Sequence, residues 1–181
     1  RRPNESRERP FMSSVPIRIL GLDPGLRRTG WGIISVEGSR LTHVAHGIIS
    51  PDDKAPFAER LLTLFEGVTD LIATWQPDEA AIEETFVNNN PSSTLKLGHA
   101  RAAAMIPPAR AGLPVAEYAA LVVKKSVVGT GSADKAQVGF MISRLLPTAG
   151  PTTSDAADAL AVAIAHAHAR KARALTQRSA A

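Results

Sequence analysis

The chain contains no cysteine, which excludes disulfide bonds, thiolate metal sites and a cysteine nucleophile. Any metal it holds must sit on oxygen or imidazole. The same absence fits a reducing cytoplasm. Also missing is any apolar run near the roughly 20 residues of a membrane span, so the sequence reads as a soluble, cytoplasmic protein with no membrane partner. There is no internal repeat, no low-complexity tract beyond the alanine bias of the last predicted helix, and no Ser, Cys or His grouping that suits nucleophilic catalysis. What remains, at 181 residues, suffices for one domain that buries most of its apolar surface without staples.

The formal net charge of +4 and a pI near 9.8 would suggest a nucleic-acid partner, but the excess lies in the two ends. Residues 1–11 hold four arginines against two glutamates, and the stretch from His166 onward holds three arginines and one lysine without an acid. Residues 1–15 read as a disordered leader or a vector-derived arm, with Met12 a candidate natural start, and residues 170–181 as a basic, disordered tail. A more local signal comes from Arg27, Arg28, Lys124, Lys125 and Lys135, which stand in or beside predicted loops.

The stretch around which the chain is organised is Ile17-Arg-Ile-Leu-Gly-Leu-Asp23-Pro-Gly25. Its apolar, β-branched run reads as a strand buried on both faces, and Pro24-Gly25 ends it at once. Asp23 is thereby held at the rim of a sheet. Such a carboxylate needs a partner, either a cation such as magnesium or the turn itself through an Asx hydrogen bond. Residues 29–36 and 41–50 follow as two more strands of an antiparallel meander. Pro56 opens a helix whose Phe57, Leu61, Leu64, Phe65, Val68, Leu71, Ile72 and Trp75 recur at helical spacing, with the aromatics in the core, until Pro77.

Residues 79–86 read as a fourth strand that again ends in acids. Alternation puts Glu83 and Glu84 on opposite faces, so only one of them can share a site with Asp23. Ser92 or Ser93 caps an alanine-rich helix that stops at Pro107-Pro108; its small residues suit core packing or a dimer face. Residues 114–118 make a fifth strand and 119–128 a helix with Lys124 and Lys125. Gly129-Thr130-Gly131-Ser132 then leads into a helix at 133–146. That loop reads either as a phosphate cradle assisted by Lys135 or as a plain turn, and it lacks P-loop spacing. The last helix spans 154–169. Asp155 and Asp158, three residues apart in its first turn, share one face, as helix-end acids or as cation ligands. His166 and His168 read as surface residues near its other end. The element order indicates an α/β domain with a mixed five-stranded sheet and helices on both faces.

Asp23, Glu83, Asp155 and Asp158 can thus meet at one sheet edge. An all-oxygen cluster suits hard divalent cations, magnesium or manganese, and two ions about 3.5–4 Å apart serve phosphodiester hydrolysis. Gly21-Leu-Asp-Pro-Gly25 with Thr29-Gly30, Ala81-Ile-Glu83, Leu95-Lys-Leu-Gly98 with Ala100-Arg101, Val127-Val-Gly-Thr-Gly-Ser132 with Lys135, and Asp155-Ala-Ala-Asp-Ala-Leu160 resemble the RuvC Holliday-junction resolvases of bacteria. The resemblance runs from Ile17 to His168, with its blocks in the right order. It implies a ribonuclease H-like nuclease domain over residues 16–169 and a homodimer, with the alanine-rich helix near 93–106 as candidate face. It implies metal-dependent paired, symmetric nicks in a four-way DNA junction, leaving 5′-phosphate and 3′-hydroxyl ends, in recombination and repair. It places the catalytic, metal-holding acids on Asp23, Glu83, Asp155 and Asp158, with two Mg2+ per subunit and Mn2+ as a substitute. Lys124 and Lys135 fall at the scissile phosphate and Phe86 against an unpaired base; Arg27, Arg28 and Lys125 are candidate DNA contacts on the local ground that they are basic and stand in or beside predicted loops. RuvA and RuvB are the implied partner proteins. Other readings are a related nuclease acting on RNA, an actin-like ATP-binding lobe, for which the chain lacks a second half, and a junction-binding scaffold without catalysis.

Overall fold

The computed structural model describes residues 15–84 and 90–179, with side chains up to residue 173. Strands β1 (Ile17–Asp23), β2 (Thr29–Glu37) and β3 (Arg40–Ile49) form the expected antiparallel meander. Helix α1 (Phe57–Trp75) carries the chain to β4 (Glu79–Glu83), α2 (Pro91–Arg110) leads to β5 (Val115–Tyr118), and α3 (Ala120–Val128), α4 (Lys135–Leu145) and α5 (Ser154–Ser179) follow. The sheet order is β3-β2-β1-β4-β5, with β1, β4 and β5 parallel. This mixed sheet with helices on both faces is a ribonuclease H-like fold.

Period-two alternation sorts the strands between two apolar layers. Leu20, Leu22, Ile33, Ala80 and Ile82 pack with Val68 of α1 and Ala104 of α2. Ile19, Ile34, Val36 and Ala81 face the opposite way, toward α3, α4 and α5. Both faces of β1 are therefore buried, as its continuous apolar run requires, and each fully buried leucine or isoleucine contributes about 1.5–3 kcal/mol.

Helix α5 lies unusually close to this second face. A Cβ on Gly21 of β1 would stand 2.1 Å from the Ala159 carbonyl oxygen, and one on Gly30 of β2 would stand 2.0 Å from that of Asp155. No side chain fits at either position. The helix answers with its own small residues, since Ala156, Ala159 and Ala163 are all buried.

Several boundaries differ from the sequence pattern. Helix α2 continues through Pro107 and Pro108 to Arg110. The prolines lose two helical donors, yet both are buried, their fixed φ suits the helix, and the Ala111 amide still donates to the Pro107 carbonyl. Strand β4 ends at Glu83, and α4 starts at Lys135 because Asp134 and Gln137 close a reciprocal capping box ahead of it. Helix α5 runs to Ser179, ten residues past the expected end, through alanine, arginine, lysine and leucine with no glycine or proline to stop it. Phe57 is exposed rather than core. Three alanines of α2 pack within the chain, Ala100 and Ala103 joining Leu64 of α1 and Ala104 the layer under β1 and β4, while Ala102, Leu95 and Ile106 of the same helix stay exposed.

Gly21→Ala is expected to lower stability by about 3 kcal/mol, because the backbone of α5 must shift to admit a methyl group. Gly139→Ala, where an added Cβ meets nothing within 4 Å, should raise it by about 0.5–1 kcal/mol through helix propensity. Urea denaturation of the two variants checks the contrast.

Candidate active site

Asp23 has the parity of Ile19 and Gly21, so it faces α5, and Glu83 has the parity of Ala81 and does the same. One step beyond the registered pair Leu22↔Ile82, the parallel strands β1 and β4 set these two acids side by side. Gly30, the antiparallel partner of Asp23, is the glycine on which the Asp155 carbonyl rests. The first turn of α5 is thus delivered to the rim where β1 and β4 end. Thr29, fully buried, holds the intervening turn: its hydroxyl donates to the Gly25 carbonyl at 2.9 Å and accepts from the Gly25 amide at 3.2 Å.

The acids repel one another. Burial, then the charges of Glu83, Asp158 and Asp155, push the Asp23 carboxyl up to about 8, with Lys135 pulling the other way. Burial and Asp158 raise Glu83 against the pull of Lys124 and Lys135. Burial also raises Asp158, although Lys135 Nζ stands 3.6 Å from its carboxylate and lowers it. Lys135 is mostly exposed, so solvent screens that pair, and it also donates to Ser154 Oγ at 3.1 Å.

The geometry therefore brings Asp23, Glu83, Asp155 and Asp158 into one electrostatic cluster, with Lys124 and Lys135 as its near cations. Lys125 is exposed. Phe86 lies outside the described residues. Glu84, of opposite parity to Glu83, is not part of the cluster. Among the described residues no three acids stand close enough to grip an ion as they are. The donor set nevertheless fits a hard divalent cation: it is all carboxylate oxygen, and a neighbouring positive charge is what a carboxyl held near 8 lacks.

An open cleft of about 1040 Å³ adjoins Asp155. Arg27 and Arg28 line it, as do Arg60 of α1 and Lys96 of α2, which the sequence pattern did not single out as functional. Arg60 sits beside the apolar stripe of α1, and only the fold turns it toward the β1–β2 turn. There it donates to the Leu26 carbonyl at 3.1 Å and pairs with Asp53 at 3.1 Å. Arg27 also approaches Asp53, at 3.9 Å with both side chains exposed. Arg101 of α2 was missed as a support: its Nε donates to the Glu83 carbonyl at 3.1 Å while its guanidinium pairs with Glu117 of β5.

His166 departs from its expected surface position. It is buried, its Nδ1 2.8 Å from the Tyr118 hydroxyl and its Nε2 2.7 Å from Glu79 Oε2. An Ala-rich helix gives no sequence cue to which of its turns meets a polar strand start. His168 is exposed, as expected, and meets Ser126.

Comparison with known proteins places this geometry. The family model for "Crossover junction endodeoxyribonuclease RuvC" matches residues 19–166. The chain belongs to the RuvC family. A RuvC crossover junction endodeoxyribonuclease of Caulobacter vibrioides is 73% identical over 149 residues, covering 82% of this chain and 88% of that protein. Its counterpart from Maricaulis maris is 64% identical over 162 residues, covering 90% and 97%. Among solved structures, T. thermophilus RuvC in complex with a Holliday junction substrate matches with a TM-score of 0.80 at 29% identity, covering 86% of this chain and 95% of that one. The yeast mitochondrial Holliday junction resolvase Ydc2 shares the fold, at a TM-score of 0.60 and 14% identity. Among the described residues, no helix is long and apolar enough to cross a membrane.

The raised Asp23 carboxyl predicts a pH dependence of stability in the metal-free protein. Folded Asp23 keeps its proton to about pH 8, whereas the unfolded chain releases it near the ordinary value of about 4. Unfolding therefore releases a proton between these limits, and stability falls as pH rises through that window. Asp23→Asn should flatten this slope and raise the melting temperature most at pH 8, by about 2–4 °C for each kcal/mol recovered. Melting curves from pH 5 to 8 without divalent cation check this.

Proposed function

We infer that this chain is a crossover junction endodeoxyribonuclease, hydrolysing phosphodiester bonds in four-way DNA junctions during recombination and repair. The observation that carries the reading is the convergence of four carboxylates at one sheet edge, beside a basic cleft, in a chain of the RuvC family. Asp23, Glu83, Asp155 and Asp158 are the residues that would hold divalent cation, two Mg2+ with Mn2+ as a substitute. Bound there, the cations would supply charge stabilisation for the reacting phosphate and lower the pKa of the attacking water.

The chain's own residues do the positioning. Lys135, tethered to Ser154 and Asp158, sets an ammonium at the edge of the acid cluster, where charge builds on the phosphate in the transition state. Lys124 adds a second positive charge from α3, near Glu83 and Asp158. Arg27, Arg28, Arg60 and Lys96 line the cleft with donors for strand phosphates, which supply affinity without reading sequence. Lys125, exposed on α3, is a further candidate phosphate contact, and Phe86 serves to stack on an unpaired junction base. Cuts leave 5′-phosphate and 3′-hydroxyl ends. Two such sites in a homodimer, with α2 as the candidate contact face, account for paired symmetric nicks in strands of like polarity. The protein works in the cytoplasm with RuvA and RuvB as branch-migration partners.

The decisive experiment is strand-specific nicking of a synthetic mobile junction beside a linear duplex of the same sequence. Symmetric cuts confined to the junction, abolished by EDTA and restored by Mg2+, are expected; cutting of both substrates alike would overturn the junction assignment. Asp23→Asn should reduce cleavage to background with junction binding retained. Lys135→Ala should slow single-turnover cleavage about 100-fold, and undiminished rates would remove it from the site.

A further inference from the structure

At the far end of the β4–α5 contact from the acid cluster lies a second polar group that the proposed reaction does not use. His166 of α5 is 4% exposed and bonds on both ring nitrogens, to Tyr118 at the end of β5 and to Glu79 at the start of β4. Arg170, one turn further along α5, donates to the other Glu79 oxygen at 2.8 Å. A neutral ring with its proton on Nε2 satisfies both nitrogens, donating to Glu79 and accepting from the Tyr118 hydroxyl. Burial pushes the Glu79 carboxyl up, but the bonds from His166 and Arg170 outweigh it and hold it below its ordinary range.

The two elements joined here are the two that carry three of the four acids. Glu79 and Glu83 are four residues apart on β4, about 13 Å at strand rise. Asp158 and His166 are eight residues apart on α5, about 12 Å at helical rise. The strand runs toward the acids and the helix away from them, so the two spans are matched rails with the acids at one end and the His166–Glu79 bond at the other.

Between those ends β4 turns only the small side chain of Ala81 toward α5. The glycines beneath α5 belong to β1 and β2, where Leu160 fills the hollow over Gly32; along β4 itself the directional contacts with α5 are those made at Glu79. A one-residue slip of α5 is about 1.5 Å, and misplacement near 1 Å is costly to a reacting geometry.

We propose that His166, locked between Glu79 and Tyr118, is a positioning residue that sets the axial register of α5 and so holds Asp155 and Asp158 opposite Asp23 and Glu83 in cation-binding geometry. The proposal rests on the reading of those acids as cation ligands. His166 touches neither DNA nor cation; it acts through the helix, as outer-shell partners of metal ligands do.

The test is Mn2+ binding to the DNA-free protein, followed by loss of the free-ion EPR signal, alongside metal-free junction binding and single-turnover cleavage. His166→Leu, which keeps apolar bulk and removes both hydrogen bonds, should weaken Mn2+ binding about 10-fold, leave junction affinity within about two-fold, and raise the Mn2+ needed for half-maximal cleavage in step. Glu79→Gln, which keeps an acceptor for His166, should bind Mn2+ within about two-fold of the unaltered chain. Unchanged Mn2+ affinity in His166→Leu overturns the proposal, as does a Glu79→Gln variant as impaired as His166→Leu. Should His166→Leu fail to fold, Tyr118→Phe, which removes one hydroxyl and keeps the ring, must still weaken Mn2+ binding about three-fold; wild-type affinity there overturns it equally. An unaltered chain that binds Mn2+ but cuts no junction would count against the resolvase reading, and the Mn2+ titrations would still decide the role of His166.

Discussion

The structure depends first on how near one helix comes to one sheet. Where Gly21 and Gly30 leave no room for a side chain, α5 lies almost backbone to backbone on β1 and β2. A helix packed through larger side chains would stand farther off, and Asp155 would be lifted away from the rim that Asp23 occupies. Two further arrangements follow from the same closeness. The helix must be alanine-rich on that side, and its first turn must come to rest beside Gly30, the partner of Asp23.

Opposing this compactness is electrostatic repulsion among the carboxylates. Hydrophobic layers on either side of β1 hold Asp23 in place against burial and against three neighbouring acids, and two lysines only partly offset their field. Stability is thus invested in keeping like charges together, as expected of a site shaped for an ionic partner and not for its own comfort.

Much of this was legible in the sequence because the informative residues obey short periods. The alternation of β4 put Glu83 and Glu84 on opposite faces, so that only one could share a site with Asp23, and the three-residue spacing of Asp155 and Asp158 put them on one side of a helix turn. Those rules need no knowledge of the fold. Arg60, Lys96 and Arg101 were not legible as functional residues, because each sits on a helix whose local pattern is satisfied by solvent and only long-range packing turns it toward the cleft or toward Glu83. His166 was misread for a related reason: periodicity shows that a helix is buried but not which of its turns meets Glu79 and Tyr118. The prolines of α2 show the same priority, since burial of Pro107 and Pro108 overrides the usual stop signal.

The protonated Asp23 also alters what an approaching polyanion meets. Counting every carboxylate as ionised gives the formal charge of +4, yet the folded, cation-free chain keeps the Asp23 proton at neutral pH. Its acid cluster therefore presents a weaker negative field than four carboxylates imply. On the proposed function, a DNA strand held along the cleft that Arg27, Arg28, Arg60 and Lys96 line would be repelled less where it passes the acid cluster, so attraction along the cleft would not be cancelled at its end.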